Sequence, residues 1–90
     1  MPRYVIERDF HRGLGLAPDL QGRQTADTVI GINAQQGVTW LHSYVTLDLK
    51  HSFCIYDAPS PEAIREVAER NGLPVGRITE VRVLDPHFHM

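Results

Sequence analysis

Residues 38–62, VTWLHSYVTLDLKHSFCIYDAPSPE, decide the fold. Trp40, His42 and Tyr44 alternate with Leu41, Ser43 and Val45 in the period-2 rhythm of a strand. A polar link around Asp48 to His51 leads into a second alternating run, Phe53 and Ile55 opposite Cys54 and Tyr56, so the two runs predict a hairpin that Pro59 ends. Ser60-Pro61-Glu62 then marks a helix start. Serine can cap the exposed N–H groups, proline suits the first helical position, and an acid favours the positive end of the helix dipole. The apolar stripe of this helix is Ala63, Ile64, Val67 and Ala68. It stops at Asn71-Gly72, with Leu73 placed for the contact of a glycine-terminated helix and Pro74 barring continuation.

Working outward, RYVIERDF at residues 3–10 sets Tyr4, Ile6, Arg8 and Phe10 against Val5, Glu7 and Asp9, which predicts a first strand. The segment HRGLGLAPDLQGR, with glycines at 13, 15 and 22 and Pro18, reads as a loop. Residues 23–36 carry Ala26, Val29, Ile30 and Ile32 at helical spacing, so a helix is expected there despite Gly31. RITEVRVL at residues 77–84 alternates again as a last strand, followed by the tail DPHFHM. The order β-α-β-β-α-β is the split βαβ arrangement. It predicts an α+β domain of ferredoxin-like topology, an antiparallel four-stranded sheet in the order 4-1-3-2 with two helices on one face. Ninety residues make one domain, residues 1–90.

A hydrophobic fraction of 42% with 22% charged residues is that of a globular chain, not a disordered one. The nine Lys and Arg are scattered and matched by eleven acids, so no basic stripe for nucleic acid is expected. No apolar run approaches the roughly 20 residues that span a bilayer, and MPRYVIERDF carries charges where a signal peptide needs an apolar stretch. A cytoplasmic protein with no membrane partner is the expectation. The single cysteine, Cys54, has no partner for an internal disulfide, in keeping with a reducing compartment. There is no phosphate-binding Gly-rich loop, no Gly-x-Ser-x-Gly and no Cys-x-x-Cys, which disfavours the familiar nucleotide and hydrolase classes.

Alternation divides the sheet into two faces. Ile6, Leu41, Val45, Phe53, Ile55, Val81 and Val83 are expected beneath the helices. Val5, Glu7, Asp9, Trp40, His42, Tyr44, Cys54, Tyr56, Ile78, Glu80, Arg82 and Leu84 are expected on the open face. That face is too apolar to stay bare and too polar for an ordinary core, which suggests cover by a second copy, a face-to-face homodimer with a small polar interior. Strands one and four are neighbours, so Glu7 and Glu80 are expected about 5 Å apart at the backbone, where two carboxylates need a proton, Arg8 or Arg82, or a metal ion to offset their repulsion. His42 lies two strand spacings, roughly 10 Å, from strand one.

VTWLHSYV, the segment running from SFCIYDAPSPEAIREVAERNGLPVGRITEVRVLDP, and the N-terminal RYVIER resemble a family of small proteins long catalogued as a domain of unknown function and including nickel-binding members. The resemblance implies a ferredoxin-like fold, a homodimer, and nickel binding by at least some members. The motif positions tied most plainly to a site are Glu7, His42, Cys54, Tyr56 and Glu80. In the tail region, where this chain has PHFH at residues 86–89, the family pattern leads one to expect aromatic residues.

From side-chain chemistry, the metal-ligating candidates are Glu7, His42, Glu80, Cys54 and Tyr44. Nickel accepts imidazole and carboxylate together, as do zinc, cobalt and copper. Each candidate has a plainer reading. His42 between two aromatics suits a hydrogen-bonded interface histidine, and a lone cysteine is more often a small core residue. His87 and His89 form a modest His-x-His chelator or a solvated tail, and His11 and His51 fall in expected loops as solvated histidines. The sequence thus favours a nickel-binding homodimer over an enzyme. The alternative is a small dimeric α+β barrel enzyme or small-molecule binding protein using His42 or a glutamate as general base. A third reading is an assembly module whose open face does no chemistry.

Overall fold

The computed structural model describes residues 1–10 and 20–87, with side chains in the first helix from residue 27 onward. The elements are β1 (Arg3–Asp9), α1 (Leu20–Ala34), β2 (Thr39–Val45), β3 (His51–Asp57), α2 (Pro61–Asn71) and β4 (Ile78–Val81). They form one antiparallel sheet in the order β2-β3-β1-β4. The ferredoxin-like α+β architecture is as expected. Most of the glycine-rich segment, along with His11 and His89, lies outside the described residues. Helix α1 begins at Leu20, ahead of the expected residue 23, and takes in Gly22. A glycine costs a helix interior about 1 kcal/mol against alanine, a penalty that packing can override.

Helix α2 forms as its sequence dictates. Ser60 is extended, its hydroxyl accepts the Ala63 N–H at 3.2 Å, and Pro61 occupies the first turn. Gly72 takes the left-handed conformation at φ 67°. Its N–H donates to Glu69 and the Leu73 N–H to Ala68, so two terminal carbonyls gain partners. Ile64, Val67 and Ala68 turn inward. The C-terminal ends of the helices are tied where Asn71 Nδ2 donates to Asn33 Oδ1 at 3.2 Å.

The core is Tyr4, Ile6, Val38, Cys54, Tyr56, Ala58, Ile64, Val67 and Ala68. Fully burying a side chain such as Ile6 or Ile64 is worth about 1.5–3 kcal/mol. This set corrects the expected division of faces. Register places Tyr56 beside Tyr4 and Cys54 beside Ile6 on the helix side, leaving Phe53 and Ile55 on the open face. Both alternating sets of β3 are apolar, so hydrophobicity alone cannot choose between them. Asp57 shares its face with Phe53 and Ile55 and pairs with Arg3 on the solvent side, while Ala58, at the mouth of α2, is buried. A carboxylate is costly to bury, and it takes its alternate neighbours outward with it.

Two further corrections follow from pairing. On β4, Ile78 stands opposite Ile6 and Glu80 opposite Tyr4, so both belong to the helix side, while Val81 stands opposite Arg3 on the open side. On β2 a bulge falls between Trp40 and His42. Trp40 therefore packs against the core while His42 and Tyr44 face the open side, and Leu41 occupies the irregularity. Strand β4 ends at Val81, short of the expected residue 84, and Val83 and Leu84 are exposed instead of being core and face residues.

Candidate functional site

The open face of the sheet is laid out in rows across the strands. Tyr44, Phe53 and Glu7 make one row, and His42, Ile55, Val5 and Thr79 the next. At the centre Val5 and Ile55 are half-buried, Phe53 is 39% exposed and Tyr44 is 65% exposed. Close pairs of polar side chains edge this apolar patch. Arg3 Nε meets Asp57 Oδ1 at 2.9 Å at one end, and His51 Nδ1 lies 3.6 Å from Asp9 Oδ1 at the other. Glu7 Oε2 is 4.0 Å from Arg77 Nε between them. Hydrogen bonding from Arg3 holds the Asp57 carboxyl below its ordinary value, with burial opposing.

The five expected ligands do not converge. Glu7, His42 and Tyr44 share the open face, whereas Cys54 is buried on the helix side and Glu80 lies on that side, exposed at the edge. Glu7 and Glu80 consequently do not form the expected carboxylate pair. They occupy opposite faces, because β4 pairs with the N-terminal half of β1 and places Glu80 beside Tyr4. Glu7 is instead bracketed by backbone hydrogen bonds to residues before β4: its N–H donates to Arg77 and its carbonyl accepts from Gly76. Arg82, beyond the end of β4, is exposed, and Arg8 is buried beneath the helices, so neither is the expected counter-charge to Glu7. His42 meets the edge of the Tyr44 ring, centroids 5.2 Å apart. Cys54 has its thiol 3.6 Å from the Ser52 hydroxyl within the core.

Sequence reading missed the pair that the fold does bring together. His51 is the first residue of β3, not a loop residue, and its register partner is Asp9 at the end of β1. Metal–nitrogen and metal–oxygen bonds of about 2.1 Å would let one ion bridge a 3.6 Å separation at an angle of about 120°, and a rotation closing it to about 3 Å gives the right angle of an octahedral ion. Glu7 lies one position along the face from Asp9 and diagonal to His51, within reach of a longer side chain. Among the described residues no three His, Cys, Asp or Glu side chains are already gathered for a metal ion. The signal that could have revealed this pair is the β1–β3 register: once Ile6 is matched to Cys54, Asp9 must fall beside His51.

No helix among the described residues is long and apolar enough to cross a membrane. A search of curated proteins finds no match. Among solved structures, this chain is similar to the crystal structure of SCO4226 from Streptomyces coelicolor A3(2), with a TM-score of 0.68 over 90% of this chain and 96% of the other at 18% identity. At that identity the likeness supports the shared fold. The family model for nickel-responsive SCO4226-like proteins matches residues 4–81, and the chain belongs to that family.

Proposed function

We propose that this chain binds nickel, or a divalent transition ion of similar preference, on the open face of its sheet, with Asp9 and His51 as the first two ligands. The observation that carries the reading is the 3.6 Å approach of His51 Nδ1 to Asp9 Oδ1 in a chain of a nickel-responsive family. Imidazole and carboxylate suit nickel, and two exposed side chains can rotate to grip an ion at little cost. Glu7 stands next along β1 as a third oxygen donor. A homodimer formed by packing two open faces would supply the remaining positions, bring His42 and Tyr44 toward the partner's site, and cover Val5, Phe53 and Ile55. Cys54 and Glu80, on the far side of the sheet, take no part.

Nickel titration of untagged protein tests this, followed by calorimetry and by elemental analysis of the purified sample. The expected result is saturable uptake weakened at least tenfold by His51→Ala and by Asp9→Asn, with Glu80→Gln indistinguishable from wild type. Uptake that is absent, or that survives both substitutions, overturns the assignment. If His42→Ala abolishes uptake while His51→Ala does not, the ligands lie on β2 instead.

A further inference from the structure

Strand β2 is an outer edge of the sheet, with β3 as its one neighbour in the order β2-β3-β1-β4. The other edge, β4, is guarded: it is four residues long, carries Glu80 and is flanked by Arg77 and Arg82. Short length and charge are the usual protections of an exposed edge against pairing with another chain. Strand β2 is seven residues long, and from Val38 to Leu47 the chain has no Asp, Glu, Lys, Arg or Pro. Its bulge, between Trp40 and His42, interrupts only the first half. Ser43 to Val45 is left regular and unguarded.

The hydrogen bonds toward β3 tell which main-chain groups of that half point outward. The Thr46 N–H donates to the His51 carbonyl at 3.0 Å, one position beyond the Val45–Ser52 pair. Bonded positions alternate in an antiparallel ladder, so Tyr44 and His42 also bond to β3, while the N–H and C=O of Ser43 and Val45 face away. No main-chain hydrogen bond from elsewhere among the described residues takes those groups up. The side chains along this edge are apolar and uncovered: Leu41, Tyr44 and Val45 are exposed, and Leu47 wholly so. Outward donors and acceptors in alternation, with an uncharged rim, fit another strand.

We propose that β2 pairs antiparallel with β2 of a second copy, about a two-fold axis at Tyr44, to make one continuous sheet across both. Ser43 of each copy then faces Val45 of the other, and each such pair exchanges both of its N–H···O bonds. Tyr44 meets Tyr44 of the second copy at the closer, non-bonded position, where aromatic pairs are favourable. The same register brings Leu47 toward Leu41 of the second copy and sets no like charges together. An identical strand is the occupant that fits, because this register answers every outward donor with an acceptor and apolar side chains with apolar ones. The contact is distinct from the open-face packing of the metal reading: it uses a strand edge, and Glu7, Asp9 and His51 lie on other strands. With both contacts formed, the assembly is a tetramer.

The test is sedimentation of untagged, chelator-treated protein over a wide concentration range, joined to amide hydrogen exchange. No metal is present, so the outcome is separate from nickel uptake. The protein should self-associate, and the Ser43 and Val45 amides should exchange more slowly as concentration rises. Face-to-face packing leaves those edge amides open to solvent, so their protection separates the two contacts. Val45→Pro removes one outward N–H at an edge position that tolerates proline, and should weaken this association at least tenfold with an unchanged circular dichroism spectrum. Val45→Thr keeps the N–H and the branched shape, and should associate as wild type does. A monomer at every concentration overturns the proposal. So does association in which Ser43 and Val45 exchange at a rate independent of concentration, or a Val45→Pro variant that associates as wild type. Where Val45→Pro does not fold, the wild-type exchange measurement decides.

Discussion

Gly76 and Glu7 are held backbone to backbone: the Gly76 N–H donates to the Glu7 carbonyl at 2.8 Å, and a Cβ at Gly76 would come within 2.9 Å of that same oxygen. The neighbour is main chain in the middle of β1, between two partner strands, and cannot yield as a flexible side chain would. Gly76→Ala should destabilise the domain by about 1–3 kcal/mol, read as a lower urea midpoint at unchanged m-value. Because this contact fixes the entry to β4 beside Glu7, the substitution should also disturb the open face more than the helix face. Amide shifts larger at Val5 to Asp9 than in α2 would show it; an unchanged midpoint would contradict the close approach.

The Arg3–Asp57 pair sets a pH dependence whose sign can be worked out. Arg3 lowers the folded Asp57 carboxyl below its ordinary value, so the contribution is fully present above the unfolded value of about 3.9 and is lost as pH falls through the lower folded one. Asp57→Asn should therefore melt below wild type at pH 7, and the gap should close as the buffer is taken below about pH 4. The effect is small because both side chains are partly solvated. A gap that stays constant down to pH 2 would show that the ion pair is not its source.

The β2–β3 turn contains a strained residue. Leu49 has φ 62°, a left-handed conformation that costs a side-chain-bearing residue about 1–2 kcal/mol. The turn is pinned around it: the Leu49 N–H donates to the Thr46 carbonyl, and Asp48 accepts from both the Thr46 hydroxyl and the Lys50 N–H. Leu49→Gly should raise stability by about 0.5–1 kcal/mol, the relieved strain less the extra chain entropy of glycine. Denaturant melts at matched pH would measure it.

Ser60→Ala should cost about 1 kcal/mol, since the hydroxyl accepts the Ala63 N–H at the start of α2 and nothing in the alanine variant replaces it. Ser60→Asp should recover most of that loss, because a carboxylate caps the same donor and favours the same helix end. Chemical denaturation of both variants separates a capping role from a packing one.

Period, turn chemistry and capping were local, and they were legible in the chain. Ser60-Pro61-Glu62 and Asn71-Gly72-Leu73 defined α2 closely, and four alternating runs with two helical segments gave the β-α-β-β-α-β order and the sheet topology. These signals depend on each residue's own backbone preference and its immediate neighbours, so no long-range contact was needed to interpret them. The face on which each side chain lies was another matter. In β3 both alternating sets are apolar, and only the outward pairing of Asp57 with Arg3 and the burial of Ala58 decide between them. In β2 one inserted residue turns Trp40 inward while His42 stays outward. In β4 the pairing of Glu80 with Tyr4 removes it from Glu7 and dissolves the expected carboxylate pair. Register is a property of two strands at once, settled by which pairing buries the most apolar surface while keeping charges wet. The meeting of Asp9 with His51, 42 positions apart in the chain, and the burial of Arg8 beside Asn33 and Tyr56 were therefore decided by the tertiary structure alone.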